Sequence, residues 1–349
     1  MSGARCAVVV FFCLFLYGVL LSGGNPPSTA PTQERHLKNL RQLTFGGENA
    51  EAYFSFDGTR LIFQSTRNGY PCDQIYTMNL DGSELRRVST GKGRTTCGYF
   101  LPDGQHFIYS STHLGGDNCP PKPAFTKGYV WAIDKNFDLF LSDFSGKLTQ
   151  LTHTPGYDAE ATVSPDGKRI VFTSVRDGDL EIYSMNIDGS GIKRLTHSWG
   201  YDGGAFFSPD NQRIVYRAAR PSDEKSILRY KELLAQNLVA PGQLELYVMN
   251  ADGSNSTQVT QNQAANFCPF FHPNGKQIIF SSNLGDPRGR NFDLYLINLD
   301  GTGLEQITYN ETFDGFPMFS PDGKKLVFAS NRNGKIRGET NVFIADWVE

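Results

Sequence analysis

The strongest constraint on this chain is a line of sequence that it writes six times. "GYDAEATVSPDGKRIVFTS" at 156–174 returns as "GYDGGAFFSPDNQRIVYRA" at 200–218. The central word recurs as "SFDG" at Ser55, "LPDG" at Leu101, "SPDG" at Ser164, "SPDN" at Ser208, "HPNG" at His272 and "SPDG" at Ser320. Its third letters stand 46, 63, 44, 64 and 48 residues apart, so two of the intervals carry insertions. Each copy follows a word such as "QLT" or "RVS" and precedes an apolar run such as "RIVFTS", then a phrase such as "IYSMNIDG". The unit reads as four short strands, with Pro-Asp-Gly and Asn-x-Asp-Gly words at two of the turns. A lone four-stranded sheet cannot bury both of its faces, whereas six packed radially cover one another. A period of about 45 residues with four strands per period therefore predicts an all-β fold, a six-bladed β-propeller of four-stranded antiparallel blades.

The two ends of the repeat fit a closed ring. The chain enters with a lone "RQLT" strand and leaves after "NVFIADW", one strand short. An N-terminal strand that completes the last blade would seal the ring by main-chain hydrogen bonds. Antiparallel order then puts the Asp-Gly turns on one face and the connections of the second to the third strand on the other. Both insertions, 114–137 and 218–240, fall on that other face, as does a smaller expansion, "NLGDPRGRN" at 283–291. Loop variation on a rigid scaffold marks this variable face as the binding face. Within the second insertion, Ser222 is the expected cap of a short helix whose apolar side is Ile227, Tyr230, Leu233 and Leu234. The expected role of this helix is to pack on the rim; the alternative is a lid over the channel mouth.

The repeated line resembles that of the TolB-like six-bladed propellers, and the likeness runs over about residues 40–347. The resemblance implies extracytoplasmic work, often within an assembly. The sequence departs from TolB between Gly24 and Arg41, where only a short linker stands in place of a separate N-terminal α/β domain. This fold carries many unrelated activities, so function must be argued from the site.

The N-terminus reads as an address. Arg5 precedes the uncharged "CAVVVFFCLFLYGVLL", and "SGGNPPSTAPT" follows. This pattern predicts a signal peptide over 1–24, or an uncleaved anchor, then a linker over 25–39 and the propeller over 40–349. The expected location is secreted or periplasmic, with membrane contact only through a retained N-terminal segment. In an exported chain, one disulfide is expected among Cys72, Cys97 and Cys119, and Cys268 is expected to be an isolated buried hydrophobe. The net charge of −3 has both signs spread along the chain and no basic block, which argues against a nucleic-acid partner.

Comparison of the six copies selects the candidate site residues. Eight places before the turn Asp or Asn stand Asn49, Thr95, Asp158, Asp202, Asn266 and Asp314. A short polar residue recurring there suits local hydrogen bonding, but three carboxylates at a channel mouth are also ligand candidates. Two residues on, the copies diverge into Glu51, Cys97, Glu160, Gly204, Cys268 and Phe316. The candidate ligand-binding set is Glu51, His113, Asp158, Glu160, Asp202 and Asp314. Arg67, Arg176 and Arg332 are expected to tie neighbouring blades together through carboxylates. The leading functional expectation is a binding or scaffold module without a cofactor, for a protein partner or extracellular ligand. The alternative is a divalent-metal hydrolase or lyase using His113, His153, His197 and Glu160. No G-x-S-x-G word is present to support a serine nucleophile.

Overall fold

The computed structural model describes residues 34–123, 128–286 and 288–349. The expected signal peptide or anchor over 1–24, and linker residues 25–33, lie outside the described residues. The first strand, β1 (Leu37–Gln42), starts inside the stretch expected to be linker. Blade 1 is β2 (Glu48–Phe54), β3 (Arg60–Thr66), β4 (Gln74–Asn79) and β5 (Arg86–Arg87). Blade 2 is β6 (Thr95–Phe100), β7 (His106–Ser111), β9 (Asp138–Asp143) and β10 (Leu148–Gln150), with β8 (Trp131–Ala132) inside its insertion. Blade 3 is β11 (Asp158–Val163), β12 (Arg169–Ser174), β13 (Glu181–Asn186) and β14 (Lys193–Arg194). Blade 4 is β15 (Asp202–Phe207), β16 (Arg213–Ala218), β18 (Glu245–Asn250) and β19 (Thr257–Gln258); its insertion holds α1 (Glu224–Leu234) and β17 (Leu238–Val239). Blade 5 is β20 (Asn266–Phe271), β21 (Gln277–Ser282), β22 (Asp293–Asn298) and β23 (Glu305–Gln306). Blade 6 is β24 (Asp314–Phe319), β25 (Lys325–Ser330) and β26 (Asn341–Trp347), completed by β1.

The innermost strands touch in the order β2, β6, β11, β15, β20, β24 and back to β2. The ring is therefore closed. Its seam is a strand pairing, Leu37 opposite Trp347 and Gln42 opposite Phe343. Side chains reinforce the seam. Arg332 binds Glu34 at 3.0 Å, Glu305 takes Arg35 and His36, and the His36 ring stacks on Trp347 at 4.8 Å.

The second strand of every blade explains why the blades stack. Leu61, Ile62 and Phe63 are fully buried, as are Ile170, Val171 and Phe172, and Leu326, Val327 and Phe328. Three consecutive buried apolar residues put side chains on both faces, which happens only when both faces of the sheet are covered. Each such side chain contributes about 1.5–3 kcal/mol by leaving water.

The repeated polar words terminate strands. In "SPDG", Ser164 Oγ donates to Asp166 and accepts the Arg169 N–H, and Ser208, Ser320 and Ser55 repeat the bond to their Asp. The Thr or Ser of the "LT" word accepts the N–H of the second residue of the third strand. Thr196 takes Ile182, Thr260 takes Leu246, Thr308 takes Leu294, and Ser89 takes Ile75. The outermost strands are so short because this hydroxyl replaces the next ladder bond.

The two insertions meet. β8 pairs with β17, Trp131 opposite Val239, so insertions from blades 2 and 4 join above blade 3 on one face. Helix α1 packs Tyr230 and Leu233 inward, and the Tyr230 hydroxyl donates to Asp179 of blade 3. The helix packs on the connecting loops of blade 3, and its cap is Asp223 rather than Ser222. Asp223 accepts the Ser226 N–H and Ser226 answers in a capping box, which needs a side chain one residue later than the expected cap.

Candidate functional site

Every innermost strand carries a β-bulge at one place. The ladder register slips between Ala50 and Tyr53, Thr96 and Tyr99, Ala159 and Thr162, Gly203 and Phe206, Phe267 and Phe270, and Gly315 and Met318. The bulged residues are Glu51, Cys97, Glu160, Gly204, Cys268 and Phe316, all left-handed with φ between 51° and 58°. Five of them are not glycine, and none is β-branched, the class that this conformation excludes most firmly. Six copies of an unfavourable backbone aim one residue per blade at the axis.

One step further along the axis stand Tyr53, Tyr99, Thr162, Phe206, Phe270 and Met318. The Tyr53 ring meets Phe206 of the opposite blade at 5.5 Å, Tyr99 meets Phe206 at 6.0 Å, and Phe206 meets Phe270 at 5.4 Å. Rings from opposite blades in contact close the channel at this level. Tyr53, Tyr99, Thr162, Phe206 and Met318 are buried, while Glu51, Cys97, Glu160, Cys268 and Phe316 keep surface that water can touch. The axis therefore holds a recess on an aromatic floor.

Glu160 is fully engaged. It accepts from Arg217 at 2.7 Å, Tyr201 at 2.6 Å, Thr173 at 2.9 Å and the Gly204 N–H at 2.8 Å. The Arg217 guanidinium fills the place where blade 4 has no side chain; a Cβ on Gly204 would collide with it. Glu51 has no ion pair among the described residues. Its neighbour is the Cys97 thiol, and burial, with the Glu160 charge adding to it, pushes its carboxyl up to about 7. Burial also pushes up the Cys97 thiol, and takes Cys268 to about 12 despite Arg217 nearby.

An arc of partly exposed aromatics leads to this recess. Trp131 of the insertion meets Phe267 at 5.4 Å, Phe267 meets Phe292 at 5.2 Å, Phe292 meets Phe313 at 6.1 Å, and Phe313 meets Phe316 at 6.0 Å. Trp131 also caps the Arg217 guanidinium at 5.6 Å. At the outer end Tyr129 is 69% exposed.

The other candidate residues have different placements. Asp158, Asp202 and Asp314 are buried struts inside their own blades, paired with Arg176, Arg220 and Arg332. Asn49 accepts from Arg67 in the same way. This corrects the inter-blade role expected of Arg67, Arg176 and Arg332. Each Arg stands 18 residues after its partner, at the far end of the hairpin, and reaches back across its own blade. Burial raises Asp202 to about 7 although Arg220 opposes the rise.

His113 bonds Ser111 and lies against Phe140. His153 lines a shallow groove with Asp138 and Asn136, and His197 is exposed. Among the described residues no three metal-type side chains converge, so the set of His113, His153, His197 and Glu160 is not assembled. The disulfide is Cys72–Cys119, with Cα atoms 5.8 Å apart. Cys97 is free, and Cys268 lines the recess instead of sitting apart.

Sequence reasoning missed Arg217, Trp131 and the aromatic arc. Arg217 had a signal in Gly204, the one residue without a side chain in its ring. The arc had none, because its members come from four separate segments.

A closed wheel of six four-stranded antiparallel blades defines a six-bladed β-propeller. The TolB beta propeller domain family (PD40) matches residues 129–232, from the first insertion into α1. A TolB homolog of Chlorobium chlorochromatii is 24% identical over 142 residues, 34% of this chain and 32% of that protein. An uncharacterized protein of Agrobacterium fabrum is 38% identical over 76 residues, 22% of this chain and 25% of that one. The chain thus matches a third or less of the length of these curated relatives. A structure solved as a TolB of Agrobacterium tumefaciens superposes with a TM-score of 0.56 at 19% identity, covering 89% of this chain and 97% of that one. Residues 129–232 thus match the TolB propeller family, and the chain as a whole has the same propeller fold as that structure. The Cys72–Cys119 disulfide fits an extracytoplasmic location.

Proposed function

We propose that this chain is a secreted or periplasmic binding module that engages a protein partner or extracellular ligand at its variable face, through the axial recess and the joined insertions beside it. One observation carries the reading. The insertions of blades 2 and 4 pair through β8 and β17, and bring Trp131 onto the axial residues Arg217 and Phe267. The opposite face offers only short turns whose Asp and Ser or Thr side chains are spent on their own backbone, as at Asp81, Asp188 and Asp300. Export is supported by the N-terminal pattern of charge and apolar run and by the disulfide. The metal-enzyme alternative draws no support from the dispersed histidines.

The test compares the two faces. A photo-reactive amino acid is placed at Leu114 or Tyr129 on the variable face, and at Asp81 or Asp188 on the turn face, in cells that export the protein. Specific cross-linked species from the first pair and none from the second are expected. Equal yields from both faces, or yields from the turn face alone, would remove the reading.

A further inference from the structure

We propose that the axial recess binds an organic cation, an ammonium or guanidinium group, held by Glu51 against the aromatic wall that runs from Trp131 to Phe316. The inference rests on the binding-module reading and adds the chemistry of the ligand. Charge bookkeeping in the recess is short. Glu160 and Arg217 neutralise each other at 2.7 Å, which leaves Glu51 as the carboxylate without a cation. An anion would meet the Glu51 charge, which Arg217 offsets only in part. A neutral ligand would gain the rings but leave that carboxylate desolvated.

The wall suits a soft cation. Five aromatic side chains stand in succession, each about 5–6 Å from the next, and the row ends at Phe316 in the recess. The chain already uses the same wall for a guanidinium of its own, since Arg217 lies 5.6 Å from the Trp131 ring and 5.3 Å from Tyr201. A hard metal ion fits poorly. Glu51 is bonded by the Cys97 thiol, a soft donor, and among the described residues no three metal-type side chains converge around it.

The site should depend on pH. The groups facing Glu51 are Cys97, Glu160, Arg217 and Asp73, with Tyr53 and Cys268 on either side. Of these, Cys97, Tyr53 and Cys268 have raised pKa values and stay protonated through neutral pH. Glu51, at about 7, is the group in this recess whose charge changes near neutrality. Binding of a cation should therefore strengthen from pH 6 to pH 8 as the carboxylate forms.

Titration calorimetry on the mature protein tests this. One arm uses choline and its uncharged isostere 3,3-dimethylbutan-1-ol. A second uses an end-blocked Gly-Arg-Gly peptide and the same peptide with citrulline. Saturable one-site binding of at least one cation at pH 8 is expected, with the neutral counterpart weaker by about tenfold. The stronger arm tells whether the cation is free or carried on a polypeptide. Glu51→Gln should weaken the cation about tenfold at pH 8, with the fold checked by its thermal midpoint. In the wild type, affinity should fall several-fold at pH 6, a readout that needs no variant. Equal binding of the neutral compounds, undiminished binding by Glu51→Gln, or no heat up to about 20 mM would each overturn the proposal. If the variable face cross-links a partner while no cation binds, this inference alone fails. If cations bind and the faces cross-link equally, the partner reading fails and the recess stands.

Discussion

Glu51 of blade 1 and Glu160 of blade 3 stand at the same place in the repeat, on left-handed backbone with φ of 53° and 57°. Their surroundings differ. Glu160 has an arginine, a tyrosine hydroxyl, a threonine hydroxyl and a backbone N–H, all of which stabilise its charge. Burial, with another carboxylate nearby, raises the cost of the Glu51 charge, and the Cys97 thiol beside it offsets only part of that. The repeat fixes where a side chain points, and the neighbouring blade decides what it can do. A carboxylate whose needs are met holds blades 3 and 4 together. One whose needs are unmet is available to a ligand.

The largest way to break this contrast is to remove the partner of Glu160. Arg217→Met keeps the volume and leaves a buried carboxylate facing Trp131 without its cation. The expected cost is about 3–5 kcal/mol, read as a fall of about 10 °C in the thermal midpoint. Adding Glu160→Gln should recover much of that loss, because the uncompensated charge is gone. A fall of under about 2 °C for Arg217→Met alone would mean that Glu160 does not depend on its cation, and the contrast would vanish.

A smaller change of opposite sign comes from Glu51→Gln. The native carboxyl is raised from an ordinary 4.5 to about 7. The fold therefore favours the protonated form. This contribution is whole below about pH 4.5 and is lost as pH rises through 7. The variant should match the wild type near pH 4.5 and exceed it at pH 8, by about 1–3 kcal/mol once water in the recess is allowed for. Asp202 and Asp293, also raised to about 7, titrate in both proteins and cancel in the difference. Thermal melts of the two proteins across this range check the sign. A variant less stable at pH 8 would give Glu51 a hidden structural partner.

How much of this was legible in the sequence depends on the length of chain that encodes each feature. Blade number, strand order and the closing role of β1 are each written six times or at a chain end, so single ambiguous residues could not mislead. The bulge is different. Nothing in Glu51, Cys97 or Phe316 taken singly announces φ above zero; only Gly204 in the same column hints at it. The Asp…Arg struts were visible as a fixed spacing, from Asp158 to Arg176 and from Asp314 to Arg332. Their partners were misjudged because spacing cannot say whether a side chain reaches across its own hairpin or outward. The β8–β17 pairing is two residues on each strand, too short for any alternation pattern. The aromatic arc is spread over segments that approach one another only after the wheel has closed.

The smallest expected effect tests whether repeat positions are interchangeable where the surroundings do match. Asp158 accepts two bonds from Arg176 at 3.0 Å. In blade 1 the same place is Asn49, which accepts from Arg67 at 2.8 Å and from Ser65 at 2.7 Å. Both arginines also lie over aromatic rings of their own blades, Arg176 over Phe172 and Tyr183, Arg67 over Phe63 and Tyr76. Blade 1 shows that an amide suffices to hold the arginine. Asp158→Asn should therefore cost only about 1 kcal/mol, the difference between a charged and a neutral acceptor. Asp158→Ala should cost about 2–3 kcal/mol, because the buried guanidinium would lose its charged acceptor and keep only the bond to Ser174. Urea denaturation of the two variants separates these values. Equal losses would mean that the charge of Asp158, and not its hydrogen bonds, holds the blade, and that Asn49 and Asp158 are as different in role as Glu51 and Glu160.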